Sequence, residues 1–287
     1  MNRERAKSGF SLAELLVVLG VAVVLISIFV PFVRSSREAS HRSRCEDNLR
    51  QINDAFRLYF RASDFNYPRT RASTETAAWT AFTGPDDANP FADDSKVAVN
   101  DVTASLFLLV RSKHITDLNV FVCPSSSDYS DEVKDASKRS NFRSTRNLSY
   151  GYALPFSLVP EYRLNDTMPA RCAILADKAP AQLSDTLSST SSNAGAFRLR
   201  YLNSPNHRGA GQNVLFADGS VRFEITPFCG VTKPDHLTDP GDNIFSALSD
   251  SPLTTQVAHD SPGVASPAAG PSYAYDSVLV PASDFSR

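Results

Sequence analysis

No cysteine of this 287-residue chain belongs to a CxxC pair, and there are only four: Cys45, Cys123, Cys172 and Cys229. That spacing argues against zinc ribbons and thioredoxin-like redox sites, and four cysteines are too few for a disulfide scaffold. No GxSxG, HExxH or Walker-type phosphate loop occurs. Gly209 and Gly211 sit in a loop, without the preceding strand and following helix of a dinucleotide fingerprint. An excess of either charge is missing too, with 29 Lys and Arg against 31 Asp and Glu. The overall basicity of a nucleic-acid binder is therefore absent, and no nucleic-acid partner is expected. The N-terminal apolar run is too long for an ordinary signal peptide, and no Ala-x-Ala-like cut site follows it.

What is present is one long helical pattern. Leu15 to Val33 is apolar apart from Gly20, Ser27 and Pro31, and residues 10–33 suffice to cross a bilayer core of roughly 30 Å. After Val33 the helical signal continues. Leu49, Ile52, Phe56, Tyr59 and Phe60 recur at three- and four-residue spacings, while Arg34, Arg37, Arg42, Arg44, Arg50, Arg57 and Arg61 occupy the other faces. The pattern predicts a helix from Ser11 to Ala62, on the order of 75 Å long. Its first half (10–33) is apolar all round, its second (34–62) is amphipathic, and Pro31 is expected to kink it. Glu14 stands at the entrance of the apolar half. A carboxylate there is costly unless partnered, which points to a task for it.

Lys7-Ser8-Gly9 precedes Phe10, and Ser11, Leu12, Glu14, Leu15 and Leu16 follow. This stretch resembles the leader of type IV prepilins, and Pro31 falls where such proteins often carry a proline. The resemblance implies a leader at residues 1–9, cut between Gly9 and Phe10 by a prepilin peptidase that then methylates the Phe10 amine. It also implies a role for Glu14: pairing with the terminal amine of a neighbouring pilin-like subunit, which would set the register of assembly. A buried ion pair stabilises one register because a missing partner is heavily penalised. The implied location is the inner membrane, single-pass, with the N-terminus cytoplasmic and the remainder extracytoplasmic.

Residues 63–250 read as one α+β domain. The loop at 84–101 has too many breakers for a long element. Its acid pairs Asp86-Asp87 and Asp93-Asp94 do not match the spacing of a calcium loop, so a solvated loop is expected. A short buried helix is expected over 105–110, a buried strand around Cys123, and exposed loop or frayed helix over 125–147. Strands are expected at 149–154, 172–176, 196–201 and 213–216, the last in a hairpin with 221–225 turned by Asp218-Gly219. The strands predict an antiparallel sheet packed on the amphipathic half of the helix, a pilin-like layout. The tail, 251–287, is rich in Pro, Ala and Ser up to Tyr273 and is expected to be mobile, with a last strand near 276–281. NHRGAGQNVLFADGSVRF (206–223), CEDNLRQINDAF (45–56), VFVCP (120–124), SYGYA (149–153) and DSVLVPAS (276–283) are similar to the prepilin-type processing-associated group. That group is named for a His, nine residues, then Asp-Gly. Here ten residues separate His207 from Asp218.

For chemistry, Asp177, His207 and Asp218 form a small metal site or acid–base pair if their strands are neighbours. Turn chemistry alone also accounts for Asp218 and Gly219. Cys123 has no His near it in sequence to activate it. Four cysteines allow three pairings. The expected one joins Cys45 to Cys123 and Cys172 to Cys229, with reduced buried thiols as the alternative. No cofactor and no enzymatic activity are expected. The expected function is a pilin-like structural subunit of a type II secretion or type IV pilus-like assembly. The alternative is a single-pass, membrane-anchored extracytoplasmic protein that binds a metal, glycan or partner protein without polymerising.

Overall fold

The computed structural model describes residues 11–73, 79–80, 82–85, 87–157, 159, 162, 164–180, 200–231, 241–247, 256–257, 274–275 and 277–280. Residues 1–10, which include the expected cleavage point between Gly9 and Phe10, lie outside these residues, as does most of the tail. The chain divides into two compact units, Met1–Ser40 and His41–Arg287. The division falls inside helix α1 (Leu12–Ala62), which contains Pro31.

In the first unit, α1 opens on a reciprocal cap. The Ser11 hydroxyl accepts from the Glu14 amide at 3.3 Å, and Glu14 Oε2 accepts from the Ser11 amide at 2.8 Å and from its hydroxyl at 3.0 Å. This is a capping box, which satisfies two amides that a helix start leaves without partners. From Leu12 to Val33 every side chain is exposed except half-buried Ala22. The Ser27 hydroxyl is satisfied by the Val24 carbonyl at 2.7 Å. By length and composition this helix can cross a membrane. A membrane anchor and a signal sequence both fit those properties.

In the second unit, α1 buries Cys45, Leu49, Ile52, Ala55 and Phe56, one face at helical spacing. Phe56 stacks on Tyr152 with ring centroids 5.5 Å apart and meets Tyr67 edge-on at 5.4 Å. Arg50 on the outer face pairs with Glu46 and Asp47. Among the described residues the chain also forms α2 (Val102–Arg111), short 3-10 turns and nine strands. They are β1 (Tyr150–Ala153), β2 (Ala173–Asp177), β3 (Gln212–Phe216), β4 (Val221–Glu224), β5 (Phe228–Gly230), β6 (Asp242–Asn243), β7 (Ser246–Ala247), β8 (Gln256–Val257) and β9 (Leu279–Val280). Five of them make an antiparallel sheet in the order β4-β3-β2-β1-β9. β5 pairs with β6, and β7 with β8. Every residue of β1, β2, β3 and β9 is buried, including the polar Asp177, Gln212 and Asn213 at the ends of β2 and β3, whereas edge strand β4 is partly exposed. Thus an apolar N-terminal helix and an antiparallel sheet define an α+β chain.

Three expectations need correction. Residues 200–202 are helical, not strand, and 196–199 lie outside the described residues. Cys123 follows a 3-10 turn, Leu118–Phe121, capped by the Asp117 side chain. The stretch 125–147 is not simply exposed loop. Phe142 is buried against Phe107 and Phe121 at 5.2 and 5.0 Å, and Arg139 makes a buried two-pronged contact to Asp131 at 2.7 and 3.3 Å. The terminal nitrogens of Arg139 are matched by the Asp131 carboxylate and the Asn141 carbonyl, so charged residues of this stretch can be interior. In the acidic loop, Asp87 accepts from the Asn89 and Lys96 amides and the Ser95 hydroxyl. Asp93 and Asp94 are exposed.

Asp101 caps α2. Its carboxylate accepts from the Ala104 amide, the Thr83 and Thr103 hydroxyls and the Asn141 amide group. Burial nevertheless pushes this carboxyl up to about 7 from 3.8, against the lowering by Thr83, Ala104 and Thr103. The folded chain then holds a proton that the unfolded chain has lost, so stability falls as pH rises from about 4 to about 7 and levels off above that. Asp101→Asn keeps a neutral acceptor. The gap between wild-type and variant melting temperatures is expected to shift across that window in favour of the variant. A gap independent of pH would show an ordinary carboxyl.

Candidate functional site

β2 ends at Asp177, which lies opposite Tyr150 of β1. Its carboxylate is wholly buried, and an ionised carboxylate there is tolerated only if donors surround it. They do. Oδ1 accepts from Asn206 Nδ2 at 3.0 Å, and Oδ2 accepts from the Asn213 backbone amide at 2.7 Å and its side-chain amide at 3.3 Å. His207 Nε2 lies 3.3 Å from the same Oδ2.

His207 reaches this point through unusual backbone. His207 and Arg208 both adopt left-handed φ, 54° and 58°, inside the turn Asn206–Gly209. Consecutive non-glycine residues there cost on the order of 1–3 kcal/mol each. Neighbouring polar contacts hold the loop. Asn203 Nδ2 donates to the Gly209 and Ile225 carbonyls, and Asn206 Nδ2 also donates to the Ser149 carbonyl. Gly211 permits the approach of β4, since a Cβ there would stand 2.7 and 2.8 Å from the Phe223 ring. Phe223 in turn meets His207 edge-on at 5.8 Å and lies under the Arg42 guanidinium at 4.2 Å.

The fourth element is α1. Cys45, in its first buried turn, is bonded to Cys123, and Cys123 Sγ lies 3.5 Å from His207 Nε2. Asn48, one turn on, donates to the Val122 carbonyl and the Tyr150 hydroxyl. Sulfur atoms of Cys45 and Cys123, a carboxylate oxygen of Asp177 and a ring nitrogen of His207 therefore all lie within 4.8 Å of one another, and all four residues are buried.

The structure thus brings Asp177 and His207 together but leaves Asp218 out. Asp218 sits in the β3–β4 turn, where it accepts from the Ser220 amide and pairs with Arg222 at 3.5 Å. Gly219 has φ of 82°, as its turn requires. The second expected disulfide does not form: Cys172 and Cys229 are free, buried thiols. Burial pushes both up, Cys172 to about 12, so neither is a ready thiolate. Sequence reasoning missed that the Cys45–Cys123 pair and the Asp177–His207 pair are one cluster.

The geometry is not that of a nucleophile–base–acid relay. Such a relay places nucleophile and acid on opposite imidazole nitrogens. Here Cys123 Sγ, Asp177 Oδ2 and Asn213 Nδ2 all converge on Nε2, and the cluster is closed to solvent.

The disulfide spans a sequence separation of 78 residues. By loop-closure entropy, a crosslink of that length stabilises the fold by about 4.5 kcal/mol. Denaturant unfolding of the full chain with and without a phosphine reductant is expected to differ by that order. An unchanged midpoint would show that the apolar face of α1 suffices alone. Compared with family models, curated proteins and solved structures, the chain gives no match.

Proposed function

We propose that the chain is a pilin-like structural subunit, made as a precursor, cut between Gly9 and Phe10 by a prepilin peptidase and methylated at Phe10. It is held in the inner membrane by the first half of α1, with the body outside the cytoplasm, and it assembles with other pilin-like subunits of a type II secretion or type IV pilus-like machine. The observation that carries this reading is the first half of α1. Sixteen large apolar side chains between Leu12 and Val33 are exposed, and the only charged residue among them is Glu14. The same helix continues into an amphipathic half that buries its apolar face in an α+β body. The leader-like residues Lys7 to Leu16 add the processing step.

Glu14 already has an intrachain task, the cap with Ser11. Cap and assembly roles separate cleanly, because Gln serves a capping box as well as Glu but carries no charge to attract an amine. Glu14→Gln is expected to leave membrane insertion and cleavage intact and to remove the subunit from sheared filaments. Filaments at wild-type level in that variant would rule out charge-based registration. Mass spectrometry of the mature protein is expected to find methylated Phe10 at the N-terminus. An intact Met1, or a cut elsewhere, would overturn the processing step.

A further inference from the structure

We propose that the reduced chain binds one zinc ion through Cys45 Sγ, Cys123 Sγ, His207 Nε2 and an Asp177 carboxylate oxygen, and that this ion and the Cys45–Cys123 bond are mutually exclusive ties at one point. The inference is independent of the assembly role.

The distances support it. Donors at about 2.0–2.3 Å from a tetrahedral zinc stand about 3.3–3.8 Å from one another. His207 Nε2 is 3.5 Å from Cys123 Sγ and 3.3 Å from Asp177 Oδ2, so two edges of that tetrahedron are already in place while the sulfurs are bonded. The donor set of two thiolates, one imidazole and one carboxylate suits zinc. All four ligand atoms lie within 4.8 Å of one another, close enough to share one ion. Nε2 is the ring nitrogen that faces the other donors, and a metal would take its lone pair in place of the contact with Asn213 Nδ2 at 3.2 Å. The outer shell is present as well. Asn206 and the Asn213 amide orient Asp177, and the left-handed turn fixes the His207 ring. Strained backbone, a buried carboxylate and a buried imidazole at one crosslink are more than the crosslink alone needs.

The chemistry balances. A phosphine gives two electrons to the disulfide, the S–S bond breaks, and water supplies the phosphine's oxygen and the two thiol protons. Zinc(II) then forms two Zn–S bonds and releases those two protons. A small-molecule disulfide reverses the sequence. It takes two electrons from the zinc-bound thiolates, becomes two thiols by taking up two protons, and leaves the protein disulfide and free zinc(II).

Cobalt(II) is the probe, on the full chain in detergent with Cys172→Ser and Cys229→Ser so that only Cys45 and Cys123 carry thiols. After anaerobic phosphine reduction, one cobalt per chain is expected, with a thiolate-to-metal charge-transfer band and tetrahedral d–d bands. The ion is expected to be displaced by one equivalent of zinc. The oxidised chain is expected to show neither band, and zinc is expected to raise the melting temperature of the reduced chain alone. This comparison needs no substitution at the cluster, so a folding defect cannot imitate it. His207→Ala is expected to abolish the d–d bands, and Asn206→Ala to weaken cobalt binding roughly 10–100-fold. Absence of thiolate bands in the reduced chain, or an unchanged spectrum in His207→Ala, would overturn the proposal.

Discussion

The bond between Cys45 and Cys123 fixes where the buried half of α1 meets the body. Burial selects only a face: Leu49, Ile52 and Phe56 would still point inward after a slide of one full turn. A slide of one residue rotates every side chain by about 100°, and Cys45 would then miss Cys123. The apolar stripe sets the helix face, and one covalent bond sets its register. Asn48 repeats the constraint in polar form, reaching the Val122 carbonyl and the Tyr150 hydroxyl from the adjacent turn.

Around that bond the interior is polar, which most cores avoid. Asp177, His207, Asn206 and Asn213 are all buried, and such a network is tolerable only if its members satisfy each other. The carboxylate is the organising group. It holds the Asn213 amide at the start of β3 and Asn206 in the turn before it, so β2, β3 and the left-handed turn are set by one acceptor. The cost of the strained His207–Arg208 backbone is offset locally by these hydrogen bonds and by the packing of Phe223. Replacing Asp177 therefore reaches β2, β3, the turn and, through His207, the disulfide together.

How much of this was legible in the sequence depends on the range of each interaction. The β3–β4 hairpin was, because Asp218-Gly219 needs nothing beyond its own positive φ. The helix and its buried face were, because periodicity is local. The Ser11–Glu14 cap was equally readable as a local Ser-x-x-Glu pattern. The interior of 125–147 was not legible, since nothing local reveals that Asp131 and Arg139 find each other. Nor was the four-residue cluster, whose members lie on α1, after a 3-10 turn, at the end of β2 and in a turn with two left-handed residues. Cys45–Cys123 was one of three possible pairings. Its polar neighbours follow from tertiary structure alone.

The two halves of α1 pose opposite specificity problems. From His41 onward, water drives the apolar face inward and a covalent bond sets the register. From Leu12 to Val33 the exposed apolar side chains would each gain about 1.5–3 kcal/mol on leaving water, so this half needs lipid or other helices. In lipid that gain is already complete, and apolar side chains no longer favour one helix neighbour or register over another. Small residues such as Gly20 and Ala22 permit close approach without fixing a partner's identity. On the proposed reading, only a polar group can distinguish one register there, and Glu14 is the only charge available. The cap with Ser11 keeps that carboxylate solvated by its own backbone until a better donor arrives. On that reading, a neighbour's amine has to do more than offer a hydrogen bond: it has to bring the opposite charge.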